Sequence, residues 1–398
     1  MIKFDFETYT KNHYNITDLK ILLEKQNNIE EKIKENSMAG WLSFDDDNLI
    51  NDIKETAKKI KETSTSLVVI GIGGSYLGSY SINEMFKSYF NDSSFEIIYA
   101  GISLSSEYLS DLLNYLKDKD FTINVISKSG TTMEPTIAYK KIKELLEQKY
   151  SKEEVSKRII ITTDKQNGTL REEVIKEGYK SFEIPSNIGG RYSLMTAAHL
   201  LPLALNIDIE KLVKGYNSGK ELIKEAFHYA SLRKVMYNNK KLIENYSVYE
   251  NKMYYYTEFL KQLFGETEGK EEVGIFPVST VNTRDLHSLG QFIQEGTPII
   301  FETLLRINQT KDIEINNLSL NKINYDVSTA VSIAHTKGKT PTIVIEIDRI
   351  TEENIGQLSY FFFLSAAFSG FLFNIDPFNQ PGVEVYKEEV RNNVKLDF

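Results

Sequence analysis

Residues 121 to 135 read F-T-I-N-V-I-S-K-S-G-T-T-M-E-P. The first six residues carry the β-branched and aromatic signature of a buried strand, and a helical pattern opens at Glu134-Pro135. Between them stand Ser127-Lys128-Ser129-Gly130-Thr131-Thr132, four hydroxyl residues in six. A strand that passes through small hydroxyl residues into a helix directs free backbone N–H groups, O–H donors and the positive end of a helix dipole at one point. Such a point suits a phosphate. The same composition also serves as a plain N-cap, because Ser and Thr are favoured there and Pro135 suits the first turn.

Outward from this stretch the strand–loop–helix unit repeats. Residues 67–70 (L-V-V-I) lead into G-I-G-G-S-Y-L-G at 71–78 and a helix to about Phe90. Residues 97–100 precede a helix at 105–116, residues 158–162 precede one near 170–177, and a fifth strand covers 181–184. Strands alternating with helices at this spacing predict a parallel, doubly wound α/β sheet. Ligands on such sheets lie beyond the carboxyl ends of the strands, where the loops 71–78, 127–132 and 189–193 (G-G-R-Y-S) are expected to converge. Upstream, residues 18–62 are charged and helical, broken at Met38-Ala39-Gly40-Trp41, and read as a packing arm. Beyond Pro202 come long helices through Tyr216, Phe227 and 254–264, then a more broken α/β pattern with strands near 275–279, 299–305 and 342–347.

The composition bounds the function. The chain of 398 residues is 41% hydrophobic and 26% charged, which is ordinary globular content with room for two domains. A net charge of −9 argues against a nucleic-acid or anionic-membrane surface, so an anionic substrate needs a local basic pocket. With no cysteine, disulfides, thiolate catalysis and thiolate zinc sites are excluded. The five histidines, His13, His199, His228, His287 and His335, form no H-E-x-x-H or comparable pair, and no metal site or other cofactor is expected. No apolar stretch reads as long and uninterrupted enough to span a bilayer, the first residues lack a signal-peptide pattern, and a cytoplasmic location is expected.

Two glycine-rich loops fail the nucleotide fingerprints they approach. In 71–78, Tyr76 occupies the place of the third glycine of G-x-G-x-x-G, and the next strand ends at Ala100-Gly101 without a ribose-binding acid. What remains is a tight turn that brings backbone and Ser75 close to a ligand. Residues 265–270 (G-E-T-E-G-K) are one residue short of a phosphate-binding Walker loop, and Glu271 follows the lysine. Glu266 at the end of an aromatic-rich helix is then either a positioned carboxylate or a solvated one. His287 reads as lying in the first turn of a helix capped by Asp285, and Lys387 follows a rigid Pro- and Gly-bearing turn at 377–382.

In this order the pieces resemble the phosphoglucose isomerase family. The matching blocks are G-I-G-G-S-Y-L-G at 71–78, S-K-S-G-T-T at 127–132, G-G-R-Y-S at 189–193, Q-L-F-G-E-T-E-G-K at 262–270, D-L-H-S-L-G-Q at 285–291 and N-Q-P-G-V-E-V-Y-K at 379–387. The resemblance implies two sugar-isomerase-type three-layer α/β/α sandwiches with mainly parallel sheets. One would span 56–200 and the other 201–398 together with 1–55, an N-terminal helical arm. It implies reversible isomerisation of glucose 6-phosphate and fructose 6-phosphate through a cis-enediol, without metal or organic cofactor. Gly74, Ser75, Ser127, Lys128, Ser129 and Thr132 would hold the substrate phosphate, and Gln262 and Gln380 would add substrate contacts. Glu266 would move the proton between C2 and C1, Arg191 would stabilise the enediolate, and His287 and Lys387 would assist ring opening. In the family the histidine comes from the partner subunit, so a homodimer sharing its active sites is implied. Thr267 stands where the family commonly has Ser, and the chain is compact for the family. A bifunctional phosphoglucose/phosphomannose isomerase and a non-catalytic sugar-phosphate-binding module are the alternative readings.

Overall fold

A computed structural model describes residues 1–90, 94–128 and 130–394, so Ser129 of the expected phosphate loop lies outside the described residues. The chain divides into two compact units, one of residues 37–214 and a discontinuous one of residues 1–36 and 215–398. The sequence places the boundaries at 55/56 and 200/201. The first moves to 36/37 because the helix Asp47–Thr63 buries Ile50, Ile53, Ala57 and Ile60 and packs within the 37–214 unit, against the strand at 121–126, and the second falls at 214/215.

In chain order the strands are β1 (Ile2–Asp5), β2 (Ser66–Ile70), β3 (Glu96–Ala100), β4 (Phe121–Ile126), β5 (Ile159–Thr163) and β6 (Lys180–Glu183). They continue with β7 (Ile243–Val248), β8 (Phe276–Val281), β9 (Ile300–Ile307), the two-residue pair β10 (Glu314–Ile315) and β11 (Leu318–Ser319), and β12 (Thr342–Ile347).

In the 37–214 unit the sheet order is β3-β2-β4-β5-β6, with every neighbour parallel. Every residue of β2, β4 and β5 is buried, the polar Thr122 and Asn124 of β4 and Thr162 and Thr163 of β5 included, as in a parallel sheet covered on both faces. Val68, Ile70, Ile123, Val125, Ile159 and Ile161 form one core face beneath the helices Ser106–Leu116, Met133–Lys149 and Thr169–Glu177. The helix Asp47–Thr63 contributes to the opposite layer. Chain order reverses between β2 and β4, which is the point where such sheets open a ligand crevice.

A single histidine ties this unit's irregular segments together. His199, in the helix Ala197–Leu203, is buried, and its Nδ1 accepts a hydrogen bond from the Ser79 N–H at 3.1 Å. Nε2 lies 2.8 Å from the Gly74 carbonyl oxygen. Burial lowers its pKa from 6.5 to about 4, against a smaller opposite pull from Gly74.

In the discontinuous unit the order is β1-β12-β9-β7-β8, parallel except that β1 runs antiparallel to β12. The N-terminal arm is therefore not wholly helical. Its first residues add an edge strand before the helices Ile16–Leu23 and Gln26–Lys34 begin. The helix Glu352–Leu372 buries almost its entire surface, including Phe361, Phe362, Phe363 and Phe368, against the helices Ile223–Asn238 and Tyr254–Glu268. Contrary to the sequence expectation, it is long and apolar enough to cross a membrane, yet 89% of its most apolar window is buried within the protein.

Strand β7 (I-E-N-Y-S-V) lies between β9 and β8, although its sequence shows no apolar run. Its Glu244 is fully buried and paired. Arg233 donates through Nε to Glu244 at 2.7 Å, and through Nη1 to Glu268 and, at 2.8 Å, to Ser369 Oγ. Tyr229 and Thr303 donate to the other Glu244 oxygen at 2.5 and 2.6 Å. Burial opposes the Arg233 charge, but the carboxylates of Glu244 and Glu268 beside it hold its pKa well above the ordinary value.

Removing one partner of such a network strands a charge. Glu244→Leu is expected to lower unfolding free energy by about 3–5 kcal/mol in urea titrations, and a loss below about 1 kcal/mol would show that the network contributes little. For His199, the unfolded chain takes up a proton near pH 6.5 and the folded chain only near pH 4. Stability is thus fully present above 6.5 and lost as pH falls toward 4, by at most about 3 kcal/mol for the separation of roughly 2.5 pH units. Urea midpoints of the native chain and of His199→Phe, compared between pH 7 and 4.5, should show a shallower acid loss in the variant. Equal slopes would mean that the ring is not held neutral.

Candidate active site

In the 37–214 unit, the loops after β2 and β4 flank the reversal point. Gly71, the first residue beyond β2, packs on the ends of both neighbouring strands, because its N–H donates to Ala100 O of β3 and a Cβ on it would lie 3.2 Å from Ile126 O of β4. The third loop arrives from beyond β6. A Cβ on Gly74 would lie 2.4 Å from the Gly190 carbonyl carbon, so only glycine permits this approach. The convergence of 71–78 with 189–193 therefore rests on direct backbone packing.

The phosphate-type loop is pre-formed around Ser127. Its N–H donates to Thr162 O at 3.1 Å, its carbonyl accepts from Thr163 Oγ1 at 2.8 Å, and its Oγ accepts from the Gly130 N–H at 3.0 Å. Gly130 has φ +74°, which suits the bend, and a Cβ there would meet Thr169 Oγ1 at 2.4 Å. The helix Met133–Lys149 starts one residue earlier than its sequence suggests. Thr132 is its N-cap, yet the Thr132 side chain makes no capping hydrogen bond. The plain-cap reading is thereby weakened at this residue. Lys128 is exposed, with Nζ 3.4 Å from Ser186 O. Ser75 closes the short helical turn Gly73–Ser75 and is partly buried.

Arg191 follows Gly190 in the turn Gly190–Met195 and is 1% exposed. Its guanidinium lies 5.5 Å from the Tyr192 ring, and Tyr192 stacks on Trp41 at 5.0 Å. Trp41, which has no role in the sequence reading beyond being the one tryptophan, thus backs the segment that carries Arg191. His199 and Ser193 are the other residues that sequence reasoning leaves without a role. The signal for His199 is a lone histidine within the apolar run A-A-H-L-L, and that for Ser193 is its place at the end of the block G-G-R-Y-S.

The discontinuous unit carries the remaining candidates. Glu266 lies in the last turns of the helix Tyr254–Glu268, partly buried, and Gln262 one turn earlier donates from Nε2 to Glu266 Oε1 at 3.1 Å. Two residues on, Glu268 is fully buried on Arg233 and also accepts the Ile275 N–H at 3.2 Å, which pins the end of this helix. A generic solvated carboxylate at position 266 would have no such support.

His287 is exposed and ends the short helical turn Arg284–His287. Asp285 does not cap a helix as its sequence suggests. Its Oδ2 accepts the Val281 N–H at 2.7 Å and the carboxylate pairs with Arg284, because the chain makes this turn before the helix Gly290–Glu295 starts. Gln380 is the N-cap of the helix Pro381–Asn393, where Lys387 is paired with Glu384 at 3.0 Å. Among the described residues, no group of three or more His, Asp or Glu side chains is placed to hold a metal ion.

Residues 48–324 match the family model described as phosphoglucose isomerase. A glucose-6-phosphate isomerase of Staphylococcus aureus (strain NCTC 8325 / PS 47) is 42% identical, over 98% of this chain and 95% of the relative. One from Staphylococcus haemolyticus (strain JCSC1435) is 44% identical, over 88% and 85%. In fold the chain is similar to a glucose-6-phosphate isomerase from Chlamydia trachomatis, with TM-score 0.82 at 18% identity over 94% of this chain and 85% of that one. A hypothetical protein from Thermus thermophilus gives TM-score 0.86 at 24% identity over 98% and 99%. The sequence match over nearly the full length of both chains, together with the glycine-packed loops and the braced carboxylate, establishes that this chain belongs to the phosphoglucose isomerase family.

Proposed function

We propose that the chain interconverts glucose 6-phosphate and fructose 6-phosphate, a step of glycolysis and gluconeogenesis. The observation that carries this reading is the 42% identity to a glucose-6-phosphate isomerase over almost the whole of both chains.

The chemistry divides into tasks that the two units' residues suit. The phosphate end of the sugar needs fixed donors, and Ser75, Ser127, Lys128, Ser129, Thr132 and the Gly74 backbone are assigned to it. The pre-bonded loop at Ser127 and the unused cap hydroxyl at Thr132 support that assignment. Ring opening takes a proton from the anomeric hydroxyl and gives one to the ring oxygen, with His287 and Lys387 assigned to these transfers.

The open chain then loses its C2 proton to Glu266, and the same carboxylate returns a proton to C1. Between the two transfers the substrate is a cis-enediol, whose oxygens gain negative charge. A carboxylate turned by Gln262 suits a base that must reach two adjacent carbons. Arg191, already buried and fixed, suits stabilisation of that charge without reorganisation. Gln380 is assigned a further contact with the substrate.

The same reading includes a homodimer in which His287 serves the partner's substrate. The exposure of His287, next to exposed Leu289 and Phe292, supports it. A cytoplasmic setting belongs to this reading too, since charged sugar phosphates do not cross membranes unaided.

Two measurements test the assignments. Glu266→Gln keeps the shape and removes the base, so kcat should fall at least roughly 1000-fold with KM within about threefold. Near-native turnover would exclude the mechanism. Thr132→Ala should raise KM for both sugar phosphates about tenfold, because a hydrogen bond to a charged group is lost. An unchanged KM would remove Thr132 from the phosphate site.

A further inference from the structure

The buried imidazole of His199 touches two of the three loops that carry candidate site residues in the 37–214 unit, 71–79 and 189–193, and nothing in the reaction uses it. The Ser79 N–H that it accepts belongs to the first turn of the helix Leu77–Phe86, where backbone donors have no partner within the helix. An acceptor Nδ1 fixes the tautomer, so the ring's proton sits on Nε2. That N–H faces the Gly74 carbonyl at 2.8 Å and Ser193 Oγ at 3.1 Å. Ser193 Oγ lies 2.7 Å from the Gly190 carbonyl and 3.2 Å from that of Gly74. A hydroxyl has one proton, and the shorter contact takes it, so Ser193 donates to Gly190 and the imidazole donates to Gly74.

The result is that each turn has its own carbonyl bonded, with Ser193 Oγ and His199 Nε2 side by side between them. Gly74 is held from one side by the Gly190 backbone and from the other by His199, and the ring also packs 3.2 Å from where a Cβ of Gly78 would stand. Ser75 is the next residue after Gly74, and Arg191 the next after Gly190. Both ring bonds end on backbone groups of the 71–79 segment, so an apolar ring of equal size would fill the space and leave that segment untied.

We propose that His199 is a positioning residue for the isomerisation, its two ring nitrogens tying the segment from Gly74 to Ser79 to the helix Ala197–Leu203 that follows the Gly190–Arg191 turn, so that phosphate binding and enediolate stabilisation stay in register. This rests on the reading of Ser75 and Arg191 as substrate residues. A protonated ring would set a second N–H against the Ser79 N–H, and the low pKa of His199 agrees with a ring kept neutral at working pH.

The test uses three variants of the full chain, with kcat and KM measured at neutral pH and folding checked by circular dichroism and thermal melting. His199→Phe keeps the ring and removes both bonds, and is expected to lower kcat/KM at least roughly 30-fold in a folded protein. His199→Gln places an amide donor near the Nε2 position and should recover kcat/KM to within about threefold of native. His199→Asn reaches only the Ser79 side and should not recover it. Native kcat/KM in a folded His199→Phe overturns the proposal. Should His199→Phe fail to fold, equal kcat/KM in the Gln and Asn variants does the same. Ser75→Ala and Arg191→Gln, measured alongside, separate the two levels. If both keep native kcat/KM, the reading of these loops as substrate-binding fails. If both fall while the His199 series stays native, only the role of His199 fails.

Discussion

The discontinuous unit depends on a buried cation being held between two buried carboxylates. Arg233 sits at zero exposure between Glu244 of β7 and Glu268 at the end of the helix Tyr254–Glu268, with Tyr229, Thr303 and Ser369 completing the bonds. A lone guanidinium there would carry a large desolvation cost, so the helix, the strand and the core helix Glu352–Leu372 must all be in place together. The arrangement couples the fold to the candidate chemistry. Glu268 is two residues from Glu266, and the same interaction that satisfies Arg233 fixes the turn from which the proposed base projects.

The 37–214 unit meets a different constraint with similar economy. Its phosphate-type loop and its glycine-rich turn are irregular backbone, and irregular backbone keeps its shape only when its N–H and C=O groups are satisfied. Ser127 is bonded on both main-chain groups and its side chain, and the 71–78 turn is held by Gly190 packing and by His199. Pre-organisation of this kind lets a binding site present donors without ordering them at each encounter. The proposed base Glu266 belongs to the discontinuous unit and the proposed phosphate loop to the 37–214 unit.

Several readings of the sequence fell short for identifiable reasons. β7 is not legible in the sequence because Glu244, Asn245 and Ser247 break the apolar pattern by which buried strands are recognised. Those side chains are compatible with burial only through partners distant in sequence, Arg233 for Glu244 and Glu302 for Asn245. The edge strand β1 is too short to signal itself, and it exists because β12 offers an unpaired edge. Asp285 looks like a cap, but its carboxylate is taken by the Val281 N–H. Conversely, the helix Glu352–Leu372 is more apolar than its sequence reading allowed, and its surroundings make it the core of the unit.

By itself the sequence determined the parallel architecture of the 37–214 unit, since β-rich segments alternating with helices at this spacing leave few other arrangements. It also determined the family, through six ordered blocks whose residue types suit phosphate binding and proton transfer. Tertiary structure alone decided which polar residues are buried and paired, where the helix Asp47–Thr63 belongs, and that His199 bonds the backbone of a segment more than a hundred residues before it. The physical reason is that apolar periodicity is a local property of the chain. Satisfaction of a buried polar group depends on partners that only folding brings within hydrogen-bond distance.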